Sequence, residues 1–235
     1  MKKIAIIMAM AGEASPVISQ LKLTEVNPPW NSKLPMRLYQ SMVGRLDVTL
    51  TLCGKDAVTG VDLVATQPAT LATFLTIEHL KPDLIINAGT AGGFRDMGAE
   101  IGDVYIGHDK VFFHDRRIPI EGFDCYGSGG YACQDFNDIA KSCGAKIGRI
   151  SSGNSLDTTE RDLEIMRTNR IVVKDMEAAS IAWVASLFNM PVMYLKAITD
   201  WVDHHEKTVE QFDRNFALAL RNLVGLLMTA LLISE

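Results

Sequence analysis

The 235-residue sequence has no CxxC pair, and none of its five histidines stands at zinc-finger spacing from its four cysteines. Cys53, Cys125, Cys133 and Cys143 therefore read as free thiols of a reducing compartment, in a chain long enough to bury a core without disulfides. A basic run is also missing: 23 Lys and Arg against 28 Asp and Glu give a formal net charge of −5 and a pI of about 5.6. That disfavours nucleic-acid binding by phosphate neutralisation and a cationic membrane-surface helix. Leu223–Ile233 is almost wholly apolar, but it falls short of the ~18 residues that suggest a membrane span and reads as a core or interface helix. There is no repeat, low-complexity tract or Ser/Gly/Pro linker. A single domain over residues 1–235 is expected, since α/β folds run to roughly 200–250 residues undivided.

What is present is a globular composition, with 48% hydrophobic residues, 22% charged residues and a mean hydropathy of +0.12. Disorder is excluded, and the expected partner is a small molecule or a second copy of the chain. The opening MKKIAIIMAMAGE superficially mimics a signal peptide. Its apolar run is short and leads straight into Glu13 and a helix-like segment, so a buried first strand fits better, in a soluble cytoplasmic protein.

Short apolar runs ending at Gly, Asn, Asp or Pro predict buried strands at Lys3–Met10, Val48–Cys53, Leu84–Ala88, Val104–Ile106 and Val192–Ile198. Helical patterns lie at Glu13–Gln20, Leu63–His79, Met176–Phe188 and Val209–Ile233. In the second, Leu63, Thr66, Ala69, Thr70, Thr73, Phe74 and Ile77 recur at three- and four-residue spacing, giving one inward face. Continuous apolar strands alternating with helices imply a largely parallel sheet covered on both faces. Arg37–Cys53 reads instead as an antiparallel hairpin with its turn in Val43–Asp47. Phe112–Tyr131, containing HDRRIPIEGFDCYGSGG, is the most irregular stretch, either a functional loop or a surface excursion.

In open α/β sheets, ligands bind beyond the carboxyl ends of strands. Glu13 and Asp200 follow predicted strands and Glu177 follows the apolar IVVK, so all three should project from strand ends on one rim. Each alone has a bland reading, an acid favoured at a helix start. Three together can supply an acid, a base and contacts to sugar hydroxyls, which points to a hydrolase or transferase acting on a polar small substrate. Asn87–Phe94, NAGTAGGF, lets the backbone turn and approach a ligand, or is only a tight turn. It is neither GxGxxG nor a P-loop. His108 and His114 lie six residues apart, and His204 and His205 are adjacent. Neither spacing is diagnostic of zinc, so no metal is expected.

MxxE at Met10–Glu13, NAGTAGG at Asn87–Gly93, SGNSLD at Ser152–Asp157, DMEAAS at Asp175–Ser180 and ITDWVD at Ile198–Asp203 occur in order. This series resembles the 5′-methylthioadenosine/S-adenosylhomocysteine nucleosidases of the nucleoside phosphorylase superfamily, across essentially the whole chain. KPDLIINAGTAGGF, VFFHDRRIP, KIGRISSGNSLD and LKAITDWVD are similar to the plant-type branch. The resemblance implies a three-layer sandwich whose mixed, largely parallel sheet is flanked by helices. It also implies cofactor-free hydrolysis of the bond between adenine and a 5′-thio-substituted ribose, in methionine salvage, with methylthioadenosine as substrate and S-adenosylhomocysteine as a second candidate. By position, Asp200 matches the acid that protonates adenine N7, and Glu13 the base that activates water at the anomeric carbon. Glu177 matches the carboxylate that grips ribose hydroxyls, and Met176 the side chain against the sugar. Thr90, Ala91 and Gly92 match a loop near the ribose and the water. Leu156 falls where many bacterial members place a Phe over the purine, keeping an apolar wall without ring stacking. Thr199 matches a small hydroxyl residue beside the acid.

Phosphorylase relatives commonly carry an Arg, as a phosphate ligand, where this chain has Asn87. An amide is a weak substitute for a guanidinium fork, although Arg45, Arg95, Arg116 and Arg117 leave other sources of charge. A non-catalytic nucleoside-binding or storage relative is the other alternative, disfavoured because a binder does not need both Asp200 and Glu13. Asn154 stands where the family usually has Asp, and Ala178 where Gly is common. The HDRRIP loop would lie near the interface of a C2 homodimer, where the neighbouring subunit helps to close the 5′-alkylthio pocket.

Overall fold

A computed structural model describes residues 1–233 of the protein. In chain order its elements are β1 (Lys3–Met8), α1 (Ala11–Gln20), β2 (Thr24–Val26), β3 (Arg37–Val43), β4 (Leu46–Leu52), α2 (Thr66–Leu80), β5 (Leu84–Gly93), β6 (Val104–Phe113), α3 (Asp124–Ser128), β7 (Gly129–Ala132), α4 (Asn137–Cys143), β8 (Lys146–Ser152), α5 (Glu160–Thr168), β9 (Ile171–Asp175), α6 (Ala178–Leu187), β10 (Val192–Trp201) and α7 (Thr208–Ile233).

The strands predicted from apolar runs are β1, β4, β5, β6 and β10. Alternate side chains of β1 enter two different cores, as a two-residue side-chain period requires. Ala5 and Ile7 pack with Ala69, Ala72 and Leu75 of α2 and with Ile181 and Val184 of α6. Ile4, Ile6 and Met8 pack with Ala14 and Val17 of α1 and with Leu223 and Leu227 of α7. Helices thus cover both sides of the sheet. β3 and β4 form the expected hairpin, Val43 opposite Leu46, with Gly44 at φ 57° as the first residue of a two-residue turn.

The sheet is mixed. β1 pairs in parallel with β4 and β5, and β5 in parallel with β10. Beyond β10 the sheet curls: β10 pairs with β6, β6 with β8, β8 with β9, and β9 returns to β5. Five strands therefore close a ring, and β1, β4, β3 and β2 extend from it as an open arm.

Several expectations are corrected. β5 and β10 run past their predicted ends, so Thr90–Gly92 and Asp200 lie inside strands, not in the loops after them. Phe74 is not part of the inward face of α2, being 44% exposed, whereas Ala72, Leu75 and Thr76 are buried there. Because α2 packs on both the sheet and α6, two of its sides are covered, and a single-stripe reading fits it poorly. Part of the irregular stretch is ordered as α3 and β7. α7 spans 26 residues and by length and composition alone would suffice to cross a membrane. Its Leu223, Leu227, Ala230 and Leu231 are buried in the core shared with β10.

Candidate active site

A cavity of about 410 Å³ opens at the carboxyl ends of β1, β5 and β10. All nine residues singled out from the sequence line it: Glu13, Thr90, Ala91, Gly92, Leu156, Met176, Glu177, Thr199 and Asp200.

Glu13 sits in the first turn of α1 and is 4% exposed. Helix capping explains only part of its placement: the Met10 backbone at the helix start bonds to Glu13, while Asp62 accepts the N–H of Ala11 at 3.1 Å. The Glu13 carboxylate also reaches across to accept from the Thr90 N–H at 2.7 Å and the Thr90 hydroxyl at 2.5 Å. Burial pushes its pKa above the ordinary carboxylate value, against the opposing pull of those bonds and of Lys196.

Glu177 has a similar history. The first N–H groups of α6 are satisfied by its neighbours: Asp175 accepts from Ala178 N at 2.9 Å, and Ser152 Oγ from Ala179 N at 2.8 Å. Ser152 in turn donates to Asp175. The Glu177 side chain makes no capping hydrogen bond, and its carboxylate accepts the Ala65 N–H at 2.9 Å. Burial, helped by the negative charges of Asp175 and Glu13, pushes its pKa up to about 7 although Lys196 opposes this. Ala65 holds φ 74° and ψ −169°, a region that only glycine enters freely and that costs a residue with a Cβ roughly 1–3 kcal/mol.

Asp200 is 5% exposed. Opposite it the ladder slips, so that Ile198 pairs with Ala91 and Asp200 with Gly92, which makes Thr199 the bulged residue. The Thr199 hydroxyl lies 2.7 Å from Asp200 Oδ1 and 3.2 Å from the Ala91 carbonyl. Burial raises the Asp200 pKa, while Thr199 and Lys174 draw it down. Gly92 is required for space: a Cβ there would stand 2.8 Å from Asp200 Oδ2.

Two buried lysines went unread in the sequence. Lys196 Nζ pairs with Asp175 Oδ2 at 2.7 Å, both side chains being almost wholly buried. Burial opposes its charge, yet Asp175, Glu177 and Glu13 outweigh that and hold its pKa above the ordinary lysine value. Lys174 donates to the carbonyls of Ser155 and Leu156 at 3.1 and 2.6 Å, fixing the loop that carries Leu156 to the cavity mouth. The signal for Lys196 was a lone lysine inside the apolar run VMYLKAI. Lys174 closed IVVK in the same way. Val209, Phe212 and Asp213, from the start of α7, complete the wall and carried no motif.

Asn87 is buried, donates to the Ile7 carbonyl at 3.3 Å and faces the cavity. Among the described residues no arginine lines it. Arg116 is spent on the Tyr126 and Gly127 carbonyls and lies over the Phe113 ring. Arg117 pairs with Asp162, and Arg95 lies over Trp201. His114 is buried, with Nδ1 3.0 Å from Ser151 Oγ, and burial lowers its pKa to about 4. His204 lies with its ring tilted against Trp201 at 5.5 Å, and His205 is tilted against His204 at 6.3 Å. No group of three or more His, Cys, Asp or Glu suited to a metal forms among the described residues.

The arrangement provides two buried acids held toward their protonated forms, a carboxylate titrating near neutrality and an apolar mouth. The sequence profile of the phosphorylase superfamily matches residues 3–232. The chain is 43% identical over 223 residues to the 5′-methylthioadenosine nucleosidase of Arabidopsis thaliana, covering 94% of this chain and 83% of that protein. It is 42% identical over 221 residues to the 5′-methylthioadenosine/S-adenosylhomocysteine nucleosidase of the same plant, covering 94% and 87%. The solved apo structure of Arabidopsis thaliana 5′-methylthioadenosine nucleosidase aligns with a TM-score of 0.96 at 40% identity, over 99% of this chain and 96% of that one.

Proposed function

The chain belongs to the 5′-methylthioadenosine nucleosidase family of the phosphorylase superfamily, and from that premise we propose that it hydrolyses the N-glycosidic bond of 5′-methylthioadenosine, releasing adenine and 5-methylthioribose, in methionine salvage. The observation that carries the reading is the meeting of Glu13, Glu177 and Asp200 in one cavity, each held by a hydrogen bond from another segment or a neighbouring hydroxyl: Thr90 to Glu13, Ala65 to Glu177 and Thr199 to Asp200.

Adenine leaves poorly as an anion. Asp200, whose pKa burial raises, donates a proton to N7 as the C–N bond breaks, and the Thr199 hydroxyl holds the carboxyl in place. The sugar becomes cationic in the transition state and is stabilised by nearby carboxylates. Glu13, fixed by Thr90, orients water at the anomeric carbon and takes its proton. Glu177 binds the ribose hydroxyls with Met176 against the ring, the backbone of Thr90, Ala91 and Gly92 bounds the ribose side, and Leu156 covers the purine. Neither cofactor nor metal enters these steps.

Water, and not phosphate, is the acceptor in this reading, supported by Asn87 and by the absence of arginine among the described residues lining the cavity. The same reading extends to a cytoplasmic homodimer. Its support is the four free cysteines and an exposed apolar cluster around Phe74, Leu187 and Phe188. Incubation with 5′-methylthioadenosine, with and without inorganic phosphate, should give adenine and free methylthioribose at equal rates. A phosphate-dependent ribose 1-phosphate would make it a phosphorylase, and binding without adenine release would make it a non-catalytic relative. Kinetics on S-adenosylhomocysteine in the same assay define the substrate range.

A further inference from the structure

We infer that Asn154 is a positioning residue for the active site, acting through the backbone of Ala65 and Thr66 to hold the Glu177 carboxylate. Asn154 follows β8 and is not among the residues that line the cavity. Its Oδ1 accepts twice from the first residue of α2, from the Thr66 hydroxyl at 2.6 Å and the Thr66 N–H at 3.2 Å. Its other end is anchored, because Asn154 N and Nδ2 both donate to Asp115 Oδ2, at 2.6 and 3.1 Å. The amide orientation is thereby fixed: a flip would set two donors against the NH2 group and an oxygen against a carboxylate.

The next residue upstream, Ala65, donates its N–H to Glu177 at 2.9 Å from a left-handed backbone that an alanine does not adopt unaided. Something must hold it there, and the paired bonds from Asn154 to Thr66 are adjacent. Asp62, three residues before Ala65, ties the same segment to the start of α1, which bears Glu13. Residues 62–66 thus connect both carboxylate-bearing helices, with Asn154 and Asp115 as the outer support. An amide suits this place better than a carboxylate. Asp at 154 would still accept from Thr66 but would confront Asp115 as a like charge about 3.1 Å away.

The proposal rests on Glu177 facing the ribose only for its catalytic consequence, so two readouts separate them. The first is the titration of the Glu177 carboxyl by 13C NMR, its signal assigned by loss in Glu177→Gln. The charged groups acting on it are Lys196 of β10, Asp175 of β9 and Glu13 of α1, and all remain in the variants. Asn154→Ala and Thr66→Val, the latter a near-isosteric change that guards against a folding failure, should each move the midpoint up by about one pH unit, as the Ala65 N–H is lost to the charged form. The second readout is the ratio of kcat/KM for methylthioadenosine to that for its 2′-deoxy and 3′-deoxy analogues, which should fall about tenfold in Asn154→Ala. A wild-type midpoint in both variants overturns the positioning role whatever the substrate. A raised midpoint with unchanged discrimination keeps the positioning role and removes Glu177 from the ribose hydroxyls.

Discussion

A carboxyl group can serve as an acid near neutral pH only if its surroundings penalise the charge, and Asp200 is placed where burial does this. Asp200→Asn keeps the shape of Asp200 but has no carboxyl proton to give in the proposed reaction. Adenine release should fall about 10²–10⁴-fold, with the thermal midpoint little changed. Near-normal turnover by that variant would remove Asp200 from proton transfer. The same burial makes stability depend on pH. An acid whose pKa is raised on folding favours the fold while protonated, and that benefit disappears as pH rises through the folded value. The contribution of Glu177 to the stability of the substrate-free protein should therefore be lost as pH climbs from 4.5 to about 7, opposite in sign to that of buried His114, whose pKa is lowered to about 4. Glu177→Gln should shift the slope of melting temperature against pH upward across that interval, and an unchanged slope would contradict the assignment. The acids themselves were legible in the sequence because each follows an apolar run. Their partners were not: the bond from Thr90 to Glu13 spans 77 positions and that from Ala65 to Glu177 spans 112, and no local spacing encodes either.

Among the elements, β5 and β10 carry the most. Both were recognised from their apolar halves, and both were ended too early, since Gly89, Gly92 and Gly93 and the polar pair Thr199–Asp200 look like punctuation. The chain continues as strand because β5 and β10 pair along almost their full length and the Thr199 bulge absorbs the change in register. Gly92 is the position at which this crossing is tight, with Asp200 Oδ2 and Val202 Cγ2 each 2.8 Å from where a Cβ would stand. Gly92→Ala should preserve the fold while displacing Asp200, lowering kcat by about 10²-fold, the usual consequence of a misplacement near 1 Å. Circular dichroism with steady-state kinetics checks both halves; full activity would show that the strand yields without moving the acid. β8 illustrates the opposite case. KIGRISS has Lys146, Gly148 and Arg149 among its seven residues, so it carries no apolar run. Its Ser151 and Ser152 are buried because His114 and Asp175 supply hydrogen-bond partners from elsewhere in the chain.

At the scale of the molecule, the layered architecture followed from alternating strands and helices, but the closure of five strands into a ring did not, because it depends on which strands pair. The surface was equally opaque. Phe74, taken from its spacing as a core residue, lies outside with its ring 6.2 Å from that of Phe188, beside the exposed Leu187. Phe74→Asp should leave the monomer fold intact and abolish the proposed dimer in sedimentation velocity. A dimer that persists would move the interface to another face. The ring also has an implication for how the chain is made. Its closing strand, β10, is the last strand to be synthesised, and it fills the gap between β5 and β6. Until the ribosome has passed Trp201, both of those apolar strands present a bare edge, the kind of template that recruits other chains. A truncation that ends before Val192 should therefore be sticky as well as inactive, and the nascent protein depends on the 44 residues from Val192 onward to become safe to release.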